Sequence, residues 1–257
     1  MRIVYVLYAA ITFLMLGLAL LAATLVLPGV YRRRAAARAV ARGFLWLAGM
    51  PLTVRGLERL SPGQCIVVSN HASYLDGLVF TAALPGRFSF VIKREMSAVP
   101  LAGLFLRRIG SEFVERFDRN RSAADARRML RNAASGHSLV FFPEGTFTRS
   151  PGLLKFHTGA FVTAARAGCP VIPAVVRGTR AALPPNGNLP RPGRIEVEIL
   201  PPIAAGQEPG EVSSTALRDR ARQAILLALG EPDLTCSGDT VPPPHTEHAR
   251  SARVSRS

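Results

Sequence analysis

From Leu52 to Ile199, short runs of β-branched and aromatic residues take turns with stretches of helical periodicity, and this alternation restricts the fold more than any other property of the chain. Leu52–Arg55, Cys65–Ser69, Phe88–Lys93, Glu112–Glu115, Ser138–Phe142, Pro170–Arg177 and Arg194–Ile199 read as strands. Gly77–Leu84, Ser97–Arg107, Arg121–Ala134 and Gly159–Ala167 read as helices between them. Strand and helix in alternation predict an α/β domain built on a mixed, largely parallel sheet flanked by helices. Ala216–Leu229 reads as a closing helix. Residues 52–230 are therefore expected to form one domain, long enough for a single buried core. Beyond Gly230 the composition turns to Pro, Ser, Thr and Arg, so 231–257 is expected to be a disordered tail.

Ahead of this domain, Ile3–Leu27 carries no charged residue. The run exceeds the roughly 20 residues that a membrane-spanning helix requires, and it is longer than the apolar core of a signal peptide, about 7–15 residues. Residues 1–30 are thus expected to be a retained membrane anchor. Two geometries fit it: a lone span, or a shallow interfacial hairpin bent at Gly17 or Pro28. Arg32, Arg33, Arg34, Arg38 and Arg42 follow the run and only Arg2 precedes it, a bias that places the domain on the cytoplasmic face of an inner membrane. Residues 31–51 mix these arginines with Val40, Phe44, Leu45 and Leu47, which predicts an amphipathic helix stopped at Pro51.

The formal charge of +15 is almost wholly arginine, since Lys93 and Lys155 are the only lysines. Such a field favours phosphate-bearing partners, and an anionic membrane surface suits the apolar N-terminus. Nucleic acid is not expected, because stacking aromatics are sparse among the basic residues and no nucleic-acid motif is present. Cys65, Cys169 and Cys236 lack paired spacing, and His71 with scattered acids makes no ligand set, so neither a disulfide framework nor a metal is implied.

Asn70-His71 ends the buried-strand pattern Cys65–Ser69, the place where open α/β sheets form their ligand crevices. A strand-end histidine can take a proton from a hydroxyl, and a carboxylate can fix its tautomer. Asp76, five residues on, suits the opening turn of the next helix folding back toward His71. The competing reading makes Asp76 a plain helix cap and His71 a loop histidine. After a second strand, Pro143-Glu144-Gly145-Thr146 reads as a turn able to aim N–H groups at an anion.

Taken in order, these blocks resemble the glycerophospholipid acyltransferase family, the lysophosphatidic acid acyltransferases and their relatives. Asn70-His71…Asp76 is similar to the family's catalytic Asn-His-x4-Asp. Gly110–Arg116 is similar to a glycine-led strand ending in a phosphate-binding arginine, here Arg116, with Glu112 departing from the usual apolar residue. Phe141–Thr146 resembles Phe-Pro-Glu-Gly-Thr-Arg, which implies that Glu144, Gly145 and Thr146 help hold the acceptor phosphate. Phe147 stands where the family commonly has arginine, and Arg149 two places later is the candidate substitute. Val171–Val175 is similar to the family's late apolar strand, where Pro173 lies near the acyl chain or serves only as an edge or bulge proline. Lys155 adds a cation to the candidate set.

The resemblance implies acyl-CoA or acyl-carrier protein as donor and a lysophospholipid, most often lysophosphatidic acid, as acceptor, with no resident cofactor. His71, oriented by Asp76, would deprotonate the acceptor hydroxyl. Acylation of glycerol 3-phosphate or a lyso-ornithine lipid is a rival reading, made live by Phe147. A non-catalytic, membrane-anchored anion binder is another.

Overall fold

The computed structural model describes residues 2–114, 137–185, 189–206 and 212–235. Seven strands form one sheet: β1 (Leu52–Arg55), β2 (Ile66–Ser69), β3 (Phe88–Lys93), β4 (Glu112–Val114), β5 (Ser138–Phe141), β6 (Val171–Arg177) and β7 (Ile195–Ile199), in the order β1-β7-β6-β2-β5-β3-β4. The pairs β6-β2, β2-β5, β5-β3 and β3-β4 are parallel, and so is β1-β7; only β6-β7 is antiparallel. The mixed, largely parallel sheet read from the alternation is therefore present.

Side-chain alternation along the central strands feeds two cores. Val67, Val140, Ile172 and Val176 face one side, where they meet Phe80 and Leu45. Ile66, Val68, Leu139 and Val175 face the other, where they meet Phe161, Leu217 and Ile225. Both faces of β2 are fully buried and, Ser69 apart, apolar, as expected for a central strand covered by helices on each side. Among the described residues the α-helices are α1 (Arg2–Val26), α2 (Val30–Leu47), α3 (Asp76–Ala83), α4 (Ala102–Arg108), α5 (Gly159–Ala167), α6 (Thr179–Ala182) and α7 (Ser214–Leu229).

One expected helix is divided. Ser97–Arg107 was to be continuous, but a 3-10 turn (Arg94–Ala98) and α4 are separated around Pro100, whose missing N–H and ring interrupt the ladder. Leu101 there takes a φ of 60°, in the left-handed region. The expected helix Arg121–Ala134, together with Glu115 and Arg116, lies outside the described residues.

At the N-terminus α1 runs unbroken through Gly17 and stops before Pro28, and Gly29 (φ 75°) turns the chain into α2. The two helices are antiparallel neighbours. The Tyr5 hydroxyl donates to the carbonyl of Ala48 at 2.8 Å, and Phe13 packs edge-on against Phe44 at 5.3 Å. Among the described residues α1 is the single helix long and apolar enough to cross a membrane. Its apolar side chains are widely exposed, among them the stripe Ile3, Leu7, Ile11, Leu14, Leu18 and Leu25.

Most arginines of α2 are not a free basic patch. Arg34 is 8% exposed and donates to the carbonyls of Ile109 (2.7 Å) and Gly110 (3.1 Å), just past the end of α4. Arg38 and Arg42 donate to Ala82, and Arg38 also to Ala83, at the last turn of α3. Guanidinium groups thus satisfy orphan carbonyls at the negative ends of two helices, each worth about 0.3–1 kcal/mol when exposed and more when buried. α2, expected to reach Pro51, ends at Leu47 because Gly49 (φ 66°) takes the chain out of the helix.

The expected disorder of 231–257 also needs revision. The segment from Glu231 to Thr235 packs on the domain: the Leu153 N–H donates to the carbonyl of Pro232, the Leu234 N–H donates to that of Leu153, and Arg222 pairs with Asp233 at 2.6 Å. Residues 236–257 lie outside the described set.

Candidate active site

Because β2, β5 and β6 run parallel side by side, their C-terminal ends open on one edge of the sheet. The loop after β2 carries Asn70 and His71, the loop after β5 carries Phe142 to Thr146, and the turn after β6 leads through Gly178 into α6. Three chain segments distant in sequence therefore converge.

Asn70 is the hinge of this arrangement. Its amide donates to the carbonyl of Val176 at 3.0 Å and accepts from the Val176 N–H at 2.8 Å, so a side chain continues the β2-β6 pairing one step past the strand. With both polar atoms engaged and 3% exposure, Asn70 orients the loop and presents nothing to a ligand.

The next residue turns outward. His71 Nδ1 lies 2.7 Å from Oδ2 of Asp76, the first residue of α3. The same oxygen accepts from the backbone N–H groups of Ala72 (2.7 Å) and Ser73 (2.9 Å), so the opening turn of the helix wraps its own carboxylate. Asp76 is fully buried and the His71 side chain is 20% exposed. An Nδ1–H donated to Asp76 leaves the Nε2 lone pair available to a proton. That is the requirement for a general base.

Glu144 does not match the role the resemblance implied. Its Oε1 accepts from the His71 N–H at 2.6 Å and its Oε2 from the Leu154 N–H at 2.8 Å, and the residue is 4% exposed. Both oxygens are committed to backbone, so Glu144 clamps the histidine loop to the 150s loop instead of gripping a phosphate. Burial pushes its carboxyl up to about 8, against the two N–H bonds and the nearby Arg180 charge, which favour the anion. Gly145 adopts φ 73° in this turn and Thr146 is half-buried beside it.

Phe147 is 7% exposed and packs on the catalytic-type pair. Its ring lies edge-on to His71 at 4.6 Å and to Tyr74 at 4.8 Å, while Phe142 stacks on the imidazole at 4.6 Å. An arginine in that space would bring a cation against the imidazole. Arg149 and Lys155 are both exposed and have no hydrogen bond or ion pair among the described residues. Pro173 is not at the site edge: it sits opposite Val68 inside β6, an interior strand rather than an edge, and the β7 pairing begins at the following residue. Arg116 lies outside the described residues.

Sequence reasoning missed the aromatic walls, the double clamp by Glu144, and Arg180. Aromatic residues next to a strand end are ordinary core residues by pattern, so only their spatial meeting with His71 reveals them.

A family model described as Acyltransferase matches residues 51–177. The 1-acyl-sn-glycerol-3-phosphate acyltransferase alpha of Bos taurus is 33% identical over 193 residues, which cover 72% of this chain and 65% of that protein. Its Homo sapiens counterpart is 32% identical over 193 residues, with 72% and 66% covered. The chloroplastic 1-acyl-sn-glycerol-3-phosphate acyltransferase BAT2 of Brassica napus is 32% identical over 180 residues, with 68% and 50% covered. The chain thus matches a little under two thirds of the length of the mammalian relatives and half of the plant one. The crystal structure of the 1-acyl-sn-glycerophosphate (LPA) acyltransferase PlsC from Thermotoga maritima superposes with a TM-score of 0.74 at 20% identity, covering 89% of this chain and 95% of that one, and so shares the fold. A family model lying over the parallel half of the sheet, relatives a third identical across most of the sequence, and a common fold agree on one assignment: the chain belongs to the PlsC-like glycerophospholipid acyltransferase family.

Proposed function

We propose that the protein transfers a fatty acyl group from a thioester, acyl-CoA or acyl-carrier protein, to the free hydroxyl of lysophosphatidic acid, giving phosphatidic acid. The observation that carries this reading is the 2.7 Å contact of His71 Nδ1 with a buried carboxylate at the sheet edge, which leaves Nε2 as the proton acceptor. His71 Nε2 takes the hydroxyl proton as the acceptor oxygen attacks the thioester carbonyl. The tetrahedral intermediate then collapses with cleavage of the C–S bond, and the imidazolium returns its proton to the departing thiolate. Asp76 holds the tautomer and offsets the positive charge that develops on the ring. The acceptor supplies the nucleophile, so no covalent enzyme intermediate is needed.

Gly145, Thr146 and Arg116 are the acceptor-phosphate contacts of this reading. The exposed stripe of α1, with Trp46 exposed at the far end of α2, lies in the water–lipid boundary, the interfacial-hairpin alternative. The α1–α2 pairing supports it over a lone span, since α2 is itself packed on α3. The domain faces the cytoplasm in this reading.

The test is release of free CoA thiol by protein in anionic vesicles supplied with acyl-CoA and lysophosphatidic acid, with His71→Ala as control. Thiol release that His71→Ala leaves within a few-fold of wild type removes His71 from the mechanism, and a non-catalytic anion binder releases none. The buried Phe147 in place of a cation favours a second reading, in which the acceptor carries no phosphate, as in a lyso-ornithine lipid. Equal rates with phosphate-free and phosphate-bearing acceptors would support it.

A further inference from the structure

We infer that Arg180, assisted by Arg149, is the specificity-determining cation that receives a substrate phosphate in the cleft it lines at the same sheet edge as His71, taking over from the arginine that Phe147 displaces. The inference rests on the acyl-transfer reading above and names residues that reading does not use.

The position of Arg180 follows from the turn after β6. Gly178 takes φ 87°, and a Cβ there would collide with the carbonyl oxygen of Arg194, so the turn accepts glycine only. It delivers Arg180 to the same sheet edge as His71, close enough to Glu144 for its charge to favour the Glu144 carboxylate. The Ser73 hydroxyl donates to the carbonyl of Leu183 at 2.8 Å, which ties the end of α6 to the histidine loop.

The guanidinium is half engaged. Nη1 donates to both oxygens of Glu231 at 3.0 Å, whereas Nε is buried without a partner and Nη2 makes no hydrogen bond among the described residues. Nε and Nη2 form the side-on fork that fits two oxygens of a phosphate. A buried donor left orphaned is a standing cost that an arriving anion relieves. Glu231 is held in turn by the N–H of Gly152 at 2.6 Å, so the docked C-terminal segment braces the arginine in place.

Arg180 and Glu231 line a cleft of about 490 Å³ with Arg149, Pro151, Pro184 and Pro185. Two cations against one carboxylate leave the cleft a net charge of +1, and Arg149 has no ion-pair partner among the described residues. Carbon-rich proline walls beside a two-donor fork suit a phosphate ester better than a free cation or an apolar chain. Two substrates carry such a group: the acceptor, and the pantetheine-bearing donor.

Steady-state kinetics of wild type, Arg180→Gln, Arg180→Lys and Arg149→Gln would separate them. Each substrate is varied against saturation in the other, and thermal denaturation serves as a folding check. Loss of one charge-assisted fork raises one substrate's KM about tenfold or more in Arg180→Gln, with kcat much less affected, and Arg180→Lys recovers part of the loss because it keeps charge without the fork. A rise confined to lysophosphatidic acid assigns the acceptor phosphate, and a rise confined to acyl-CoA assigns the donor. Arg149→Gln, at an exposed side chain, should move the same KM in the same direction and covers the case in which Arg180→Gln does not fold. Both KM values unchanged in an active, folded Arg180→Gln would overturn the inference. Should wild type transfer no acyl group, the activity reading fails by itself. Phosphorus NMR line broadening of sn-glycerol 3-phosphate, present with wild type and lost with Arg180→Gln, then still decides this one.

Discussion

Replacing Asp76 by asparagine isolates the charge of the site from its geometry. Oδ2 of Asp76 accepts three hydrogen bonds, from His71 Nδ1, Ala72 N and Ser73 N, whereas Oδ1 is buried with no partner. An asparagine can set its carbonyl oxygen at the Oδ2 position and its NH2 at the Oδ1 position, so all three bonds and the His71 tautomer survive. What disappears is the negative charge facing the imidazolium. With charges about 4 Å apart and an effective dielectric of about 20, that attraction is about 4 kcal/mol. If half the ring charge has developed at the transition state, about 2 kcal/mol acts on the barrier. At about 1.4 kcal/mol per tenfold, kcat should fall by about 30-fold, and by about 1000-fold if proton transfer is complete. KM should change little. Asp76→Ala removes the acceptor as well, frees the ring to adopt the wrong tautomer, and orphans two backbone N–H groups, at about 1–3 kcal/mol of stability each. It should be slower than Asp76→Asn and melt lower. Initial rates of thiol release, beside thermal denaturation of each variant, check both statements. An Asp76→Asn kcat within about threefold of wild type, with Asp76→Ala no slower, would refute the argument that this carboxylate stabilises a charged imidazole.

Three further outcomes follow from the same geometry. Phe147→Arg, though it restores the family's usual residue, should lower activity by about tenfold or more and cost several kcal/mol of stability, because it buries a cation against the His71 ring; kinetics and melting curves test it. Glu144, its carboxyl raised to about 8, keeps its proton in the folded state at pH values where the unfolded chain has lost it, so its contribution is complete below about pH 4.5 and is lost as pH rises through about 8; chemical denaturation should show that slope in wild type and a flatter one in Glu144→Gln, and identical slopes would contradict it. Arg34→Ala should destabilise the fold by about 1–3 kcal/mol through the carbonyl of Ile109 it leaves unmatched, that of Gly110 keeping the Ser89 hydroxyl, while vesicle binding is unchanged; weakened binding with stability intact would contradict it.

The α/β class was legible because its signals are local. Strands β1 and β3 carry the bounds read from the sequence, β2, β5, β6 and β7 differ by a residue at an end, and the expected end of β4 lies outside the described residues. Where a local rule was passed over, the reading failed: Pro100 divides a helix that apolar periodicity alone made continuous. In the site, the five-residue spacing of His71 and Asp76 already suggested a helix start folding back on a strand end. The spacing could not show that the backbone of Ala72 and Ser73 joins the same oxygen.

By itself, the sequence determined which segments become strands or helices, which face of each is apolar, and which residue types stand at the strand ends. Tertiary structure alone decided what those residues do. Arg38 and Arg42 of α2, read as part of the positive flank that follows the apolar run, are spent on helix carbonyls, because antiparallel packing of α2 over α3 brings them there. Glu144, read as a substrate contact, is a backbone clamp, because β5 lies beside β2 and places both its oxygens on N–H groups of other loops. Periodicity records burial along one segment; hydrogen-bond partners between segments depend on strand order, which no single segment encodes.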